Sequence, residues 1–209
     1  MVAIAICLAG FSVSNVLAQD NTKDQGVIIN GVKWATRNVD KPGIFAVKPE
    51  SSGMFYQWNS KIGWSATDPL KDSNGETSWK RAGIIGPSWN KGSDPSPSGW
   101  RIPTLDEIKT LLDTNKVSNE WLTVNGVTGS RFTDKVTGKS IFLPAVGYRS
   151  ISDGELRRVG LTGFYWSSNP SDTWSQSHWY GSHFVFGDGG ASTSTEHVGY
   201  AHNVRSVAE

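Results

Sequence analysis

The expected fold depends on one stretch, PTLDEIKTLL at residues 103–112, which carries the clearest helix signal in the chain. Thr104 is a favourable N-cap, and Glu107 three residues later completes the pattern of a capping box. Apolar residues at positions 105, 108, 111 and 112 recur at helical spacing and define one apolar face. We therefore expect a capped amphipathic helix that fades near Asn115.

Short strand signals surround this helix on both sides. Residues 27–29 and 32–34 flank Asn30-Gly31, a dipeptide that favours a two-residue hairpin turn, and Asn125-Gly126 predicts a second hairpin between residues 122 and 133. Many short strands with one or two helices and long loops predict a single α+β domain whose first strand pairs with its last. The further strands are expected at 54–58, 141–143, 156–159, 164–166, 179–180, 184–186 and 204–207.

A long polar segment, residues 59–99, separates the first strands from the helix. It is rich in Gly, Ser, Asp, Asn and Pro, and it contains Trp64, Trp79 and Trp89. Structureless loops of this length are uncommon in compact domains. We expect the three tryptophans to anchor the segment to the body of the protein.

The composition narrows the class of protein. The 209 residues carry a formal net charge of +1 and no basic block, which gives nucleic-acid binding no support. Residues 1–17 are apolar and lead into Val16-Leu17-Ala18, a sequence typical of signal-peptidase cleavage after Ala18. A buried N-terminal strand or helix is the alternative, whereas the run is too short for a membrane anchor.

These signals predict an exported protein, found at the cell surface or secreted. Residues 1–18 are the expected signal peptide, 19–26 a short linker, and 27–209 a single domain. The only cysteine, Cys7, lies in the leader, so the mature chain would contain no thiol and no disulfide.

Motifs for catalysis and metal binding are missing from the sequence. The four histidines, His178, His183, His197 and His202, lack metal-site spacing, and each close pair is five residues apart, on opposite faces of a strand. We expect them at the surface. Asp-Gly at 153–154 and 188–189 indicates turns rather than calcium sites. No nucleophile elbow or phosphate loop occurs, so we predict no catalytic residue, no cofactor and no metal.

The chain from residue 165 onward is dense in Ser, Asn, Thr, His, Gly, Tyr and Trp, a composition typical of binding surfaces. Rigid aromatic rings there would supply contact area to a glycan or to a surface or host protein. Trp166 is expected in the core. The candidate ligand-binding residues are Trp174, Trp179, Tyr180, His183 and Tyr200.

Five blocks of sequence carry a resemblance to a known family. Residues 94–104 (DPSPSGWRIPT) match the pattern DPCPxGWRVPT, and residues 29–39 (INGVKWATRNV) match NGxxWxxxNV. Residues 142–149 (FLPAVGYR), 163–168 (GFYWSS) and 204–207 (VRSV) resemble FPAAGYR, GxYWSS and SVRCV. In this order, over roughly residues 27–207, the chain resembles the Fibrobacter succinogenes major paralogous domain family (FISUMP).

The resemblance implies a C-type-lectin-like fold and export, often to the surface, in gut-type Bacteroidota, and the family has no established activity. Ser96 and Ser206 stand where the family patterns have cysteine. If those cysteines pair in relatives, the two serines should lie close together here, within the Cβ separation of about 8 Å that still approaches disulfide geometry.

Four interpretations of function follow. The first is a non-catalytic recognition domain for a glycan or protein. The second is a structural subunit of a surface appendage or adhesin complex. A ligand-displaying variable protein of a diversity-generating retroelement, with its variable window at about residues 169–203, is a minor hypothesis. A hydrolase or transferase using two convergent carboxylates in the loops is the last.

Overall fold

The computed structural model describes residues 20–80, 86, 88–172 and 179–209. These residues form fifteen strands, one α-helix and one short 3-10 helix at Lys91–Ser93. In chain order the elements are β1 (Val27–Ile29), β2 (Val32–Trp34), β3 (Phe55–Gln57), β4 (Gly63–Trp64), β5 (Trp100–Arg101), α1 (Leu105–Thr110), β6 (Val117–Val124), β7 (Val127–Asp134), β8 (Ser140–Pro144), β9 (Tyr148–Arg149), β10 (Leu156–Arg157), β11 (Thr162–Pro170), β12 (Tyr180–Gly187), β13 (Gly190–His197), β14 (Ala201–His202) and β15 (Val207–Ala208).

The strands form four antiparallel sheets. Their strand orders are β1-β2-β15-β5, β10-β9-β14-β3-β4, β11-β12-β13 and β6-β7-β8. The predicted α+β, C-type-lectin-like fold is therefore wrong, because the described chain is β-rich and α1 has only six residues. Two features caused the error: the helix is shorter than its apolar pattern, and polar segments expected as loops are strands.

The helix begins as predicted and ends early. Thr104 Oγ1 accepts a hydrogen bond from the Glu107 amide, and the Glu107 carboxylate accepts one from the Thr104 amide at 2.7 Å, which completes the capping box. Arg101 holds the same carboxylate through two bonds of 2.8 and 2.6 Å. The α-helix ends at Thr110 rather than near Asn115. Residue 111 still packs in the core, so the apolar pattern outlasts the helical hydrogen bonds.

Both predicted hairpins are confirmed. Asn30 and Gly31 take φ angles of 45° and 83°, and Asn125 and Gly126 take 49° and 83°. These left-handed conformations are the ones that a two-residue turn with Asn-Gly requires. The second hairpin is longer than predicted, because β6 and β7 pair over eight residues.

The pairing of the two ends of the chain differs from the prediction. The C-terminal strand β15 lies between β2 and β5, with Val207 opposite both Trp34 and Arg101, and it does not pair with β1. The first hairpin places β1 at the outside of this sheet, and β15 pairs with the side of β2 that β1 does not occupy.

The main core is formed by residues of three sheets, β1-β2-β15-β5, β6-β7-β8 and β11-β12-β13, and of α1. Phe132 of β7 packs against Phe184 and Phe186 of β12 at ring distances of 5.5 and 6.0 Å, and α1 adds Ile108 at one end. Among the described residues, no helix has the length and apolar composition needed to cross a membrane.

The predicted tryptophan anchors of the long polar segment are confirmed. Trp64 and Trp79 contact each other at 4.7 Å, and the Trp79 indole N–H donates to the carbonyl of Ile151 at 3.0 Å. Trp89 packs against Trp58 at 5.2 Å. Trp64 and Trp79 attach the segment to one hydrophobic cluster, and Trp89 attaches it to another.

The predicted proximity of Ser96 and Ser206 is also confirmed. Their Oγ atoms are 2.7 Å apart and form a hydrogen bond. Ser206 is fully buried in the segment that leads into β15, whereas Ser96 belongs to the loop before β5. The two serines therefore connect the loop and the C-terminus.

Candidate binding surface

Three half-buried aromatic rings form one continuous patch, which we call the aromatic face. It consists of Tyr148, Phe164 and Tyr200. The Tyr148 ring contacts Phe164 at 5.0 Å and Tyr200 at 5.5 Å, both in edge-to-face geometry. Such pairs are favourable beyond the area they bury. The three rings therefore hold each other in place while part of each remains accessible.

Tertiary contacts bring the three rings together from distant parts of the chain. Tyr148 lies on β9, Phe164 on β11, and Tyr200 precedes β14. An isolated parallel bridge between Gly147 and Gly163 joins the two sheets next to the face. At Gly147, φ is +73° and a Cβ atom would lie 1.9 Å from the Arg157 carbonyl oxygen. Only glycine permits this approach, and the approach fixes the position of Tyr148.

A buried aromatic layer supports the face from below. The His202 ring stacks on Trp166 at 4.1 Å and lies 4.9 Å from the ring of His183. It also contacts Phe164 at 5.3 Å. The Trp166 indole donates to the carbonyl of Tyr56 at 2.7 Å. The accessible rings thus rest on a packed layer with little freedom to move.

Both histidines of this layer are neutral. Burial lowers the pKa of His183 to about 4. Burial and the neighbouring His183 hold the pKa of His202 well below its usual value. The Nδ1 atoms of both rings are buried without a hydrogen-bond partner. A proton on either ring would place an unbalanced charge among aromatic side chains.

Charged groups of both signs flank the aromatic face. Arg157 pairs with Glu155 at 3.1 Å and with Asp153 at 3.4 Å, and its charge acts on Tyr148 and Tyr200. Partial burial, followed by the carboxylate of Glu196, raises the pKa of Tyr200. A ligand on the rings would meet a cation and a carboxylate at the rim.

The five predicted ligand-binding residues lie in different environments. Tyr200 belongs to the aromatic face, and the Tyr180 ring contacts the ring of His197 at 5.8 Å. Trp179 is half-buried against the cluster that contains Trp58 and Trp166. Trp174 lies outside the described residues.

His183 offers almost no surface to a ligand, since it is 2% exposed. The prediction that the histidines lie at the surface is wrong for His183 and His202. The five-residue spacing separates two rings only when both lie on one strand. These two rings come from β12 and β14 and meet in the interior.

Two members of the face, Tyr148 and Phe164, were not predicted from the sequence. Arg157 and Glu196 at its rim were not predicted either. The available signal was that Tyr148 and Phe164 fall inside two of the family-like blocks, residues 142–149 and 163–168. Sequence periodicity identifies neither residue, because the face is assembled from three separate segments.

Within the described parts of the chain, no group of three or more His, Cys, Asp or Glu side chains is placed to hold a metal ion. Comparisons of the chain with known protein families, with characterised proteins and with solved structures gave no match. The resemblance to the FISUMP family therefore stays a prediction from the sequence blocks.

Proposed function

We propose that this protein is an exported, non-catalytic recognition domain that binds a glycan or a protein through the aromatic face. The observation that supports this function best is the preformed cluster of Tyr148, Phe164 and Tyr200 with Arg157 and Glu196 at its rim. The proposal keeps the family resemblance and the expected leader peptide, and it replaces most of the sequence-derived site.

The geometry of the rings favours binding. Tyrosine supplies a large contact area with few rotatable bonds, so little side-chain entropy is lost when a ligand binds. The edge-to-face contacts and the buried layer restrict Tyr148 and Tyr200 before any ligand arrives. Preorganisation of this kind increases affinity by lowering the cost of ordering.

The test is a glycan and protein array probed with the purified protein and with three variants. Tyr200→Ala and Arg157→Gln change the face, while Val136→Ala changes an exposed apolar side chain in the turn between β7 and β8. Central aromatic residues of an interface contribute about 2 kcal/mol or more. We expect Tyr200→Ala to weaken binding about 30-fold, Arg157→Gln to weaken it less, and Val136→Ala to leave it unchanged.

Saturable binding that survives both face variants would exclude this surface as the site. Failure of the folded protein to bind any array member would favour the structural-subunit interpretation instead. Circular dichroism and thermal melting of each variant distinguish loss of binding from loss of fold.

A structural-subunit function is favoured by one separate feature, the long outer strand β13. In the described part of the chain, β12 is the only strand that pairs with its eight residues. Outer strands of this length are potential sites for pairing between chains.

A further inference from the structure

The outer strand β13 is unusually regular. It pairs with β12 through eight consecutive residue pairs, from Gly187–Gly190 to Tyr180–His197, with no register shift. None of its residues is fully buried. The free side of β13 is therefore a straight edge about eight residues long.

The turn before β13 determines which backbone groups point outward. Gly187 and Gly190 close a two-residue turn, and the closing pair of such a turn is hydrogen-bonded. Pairs then alternate along an antiparallel ladder. The amide of Val198 donates to the carbonyl of Trp179 at 3.0 Å, which fits the same alternation. The N–H and C=O groups of Ala191, Thr193 and Thr195 consequently point away from β12.

Natural outer strands are usually protected by lysine, proline, bulges or short length. The sequence of β13, GASTSTEH, contains neither lysine nor proline, and its register contains no bulge. The other eight-residue outer strand, β6, carries the exposed Glu120, which pairs with Arg131 at 3.3 Å. The edge of β13 has only Glu196 near its end as a charged side chain.

We propose that β13 pairs with β13 of a second copy of this chain, in antiparallel orientation and centred on Thr193. The paired strands extend the sheet β11-β12-β13 across a two-fold axis into one sheet of six strands. This inference does not rest on the aromatic face or on the ligand proposed for it.

Symmetry restricts the register of such a pair. A two-fold axis through the paired strands places one residue opposite the same residue of the second copy. This central pair is hydrogen-bonded only if the backbone groups of that residue point outward from β12. With Thr193 at the axis, Ala191 lies opposite Thr195 of the second copy. The three pairs 191–195, 193–193 and 195–191 then exchange two backbone bonds each, or six in total.

The side chains are compatible with this register. Ser192 lies opposite Ser194 of the second copy, and Glu196 lies opposite Gly190. Threonine opposite threonine is a favourable cross-strand pair, whereas like charges directly opposite are unfavourable. No like charges face each other in the Thr193-centred register, and the outward residues 191, 193 and 195 pair with one another under the two-fold axis. This self-complementarity favours a second copy as the occupant.

The interface is small. One added strand buries less than the roughly 800 Å² per partner of a standard stable interface. We therefore expect a weak, concentration-dependent dimer that forms at about 10–500 µM protein rather than an obligate one.

Sedimentation equilibrium across that concentration range tests the proposal. Ser192→Lys/Ser194→Lys places lysine opposite lysine twice in the Thr193-centred register, and we expect association at least about tenfold weaker. Ser192→Lys/Ser194→Glu places lysine opposite glutamate in the same two pairs, and association should return to the wild-type level or exceed it. Val136→Lys/Val159→Lys adds the same positive charge at exposed sites in two turns and should not change association.

Three results would overturn the proposal. The first is a wild-type protein that remains monomeric over the whole concentration range. In that case the partner of the β13 edge would be an extended segment of a different protein. The second is a dimer that the double-lysine variant does not weaken. The third is equal loss in both β13 variants, because only a wrong register or a general structural defect explains it. Circular dichroism shows that each variant is folded.

Discussion

Two neighbouring segments near the C-terminus both contain several polar residues but have opposite environments. The outer strand β13, GASTSTEH, contains no fully buried residue, whereas every residue from 201 to 207, AHNVRSV, is buried. Three residues separate them. The second segment contains three apolar core residues, and its polar residues are buried with them. Their burial is possible because the surrounding strands and loops offer hydrogen-bond partners to most of these polar groups.

Most polar groups of the buried terminal segment, residues 201–207, have such partners, although His202 Nδ1 and Asn203 Oδ1 do not. Asn203 donates to the carbonyls of Ser52 and Met54, and Arg205 donates to Asn38 and to two backbone carbonyls. Buried polar groups with satisfied hydrogen bonds hold a structure in one arrangement, and they are expensive to disturb. β13 instead presents its side chains to solvent.

Among the predictions that test this contrast, removal of the Arg205 side chain should lower the unfolding free energy the most. Its guanidinium is 1% exposed and donates to Asn38 Oδ1 at 2.9 Å and to the carbonyls of Ala35 and Phe142 at 3.2 and 3.1 Å. Arg205→Ala leaves three buried acceptors unpaired and a cavity, so we expect a loss of about 3–5 kcal/mol in unfolding free energy.

Urea denaturation monitored by tryptophan fluorescence measures the effect. Arg205→Lys keeps the charge but not the planar fork, and should recover only part of the loss. A change below about 1 kcal/mol in Arg205→Ala would show that the hydrogen bonds of this guanidinium do not hold the segment in place.

A disulfide should strengthen the attachment of the same segment. The Oγ atoms of Ser96 and Ser206 are 2.7 Å apart, close to the geometry of a disulfide. In a Cys7→Ser background, Ser96→Cys/Ser206→Cys should close a loop of 110 residues and add about 2–4 kcal/mol when oxidised. Melting temperatures with and without reductant measure the gain.

The single variant Ser206→Cys, also in the Cys7→Ser background, is the control and should show no dependence on reductant. Failure of the double variant to oxidise would mean that the two side chains do not adopt bonding geometry in solution.

Acid should destabilise the buried segment through His202 and its neighbour His183. Both folded-state pKa values lie below the usual 6.5, so the unfolded chain binds more protons as the pH falls. Stability is therefore complete above about pH 6.5 and declines as the pH falls towards 4. With a folded pKa of about 4, His183 alone accounts for about 2 kcal/mol between pH 8 and pH 5.

Urea midpoints at pH 8, 6.5 and 5 measure this dependence. His183→Phe keeps an aromatic ring without a titrating group, and its midpoint should change less over the same range. An identical pH dependence in His183→Phe and in the wild type would assign the acid sensitivity to other groups.

The sequence predicted those parts of the fold that depend on local chemistry. The capping box at Thr104, the Asn-Gly turns at 30–31 and 125–126, and the tryptophan anchors were all found. The Ser96–Ser206 contact came from a family pattern rather than from local chemistry. Each of these signals lies in a few residues or one motif, so a single sequence is sufficient to recognise it.

The parts that depend on distant partners were missed. β13 has no apolar alternation, because only Ala191 on one face contacts the main core, and its strand structure comes from pairing with β12. The helix pattern continued beyond Thr110, but the chain turns there to start β6. The aromatic face needs three distant segments to meet, and only Tyr200 of its three rings was predicted.

The smallest effect should come from one substitution made in both segments. Ser206→Ala removes a fully buried hydroxyl bonded to Ser96, and we expect a loss of about 1 kcal/mol. Ser194→Ala on β13 removes an exposed hydroxyl and should change stability by less than about 0.5 kcal/mol. Because the chemical change is identical, urea midpoints of the two variants isolate the effect of the environment. Equal losses would mean that burial of the hydroxyl makes no energetic difference between the two segments. That result would contradict the central role of buried partners.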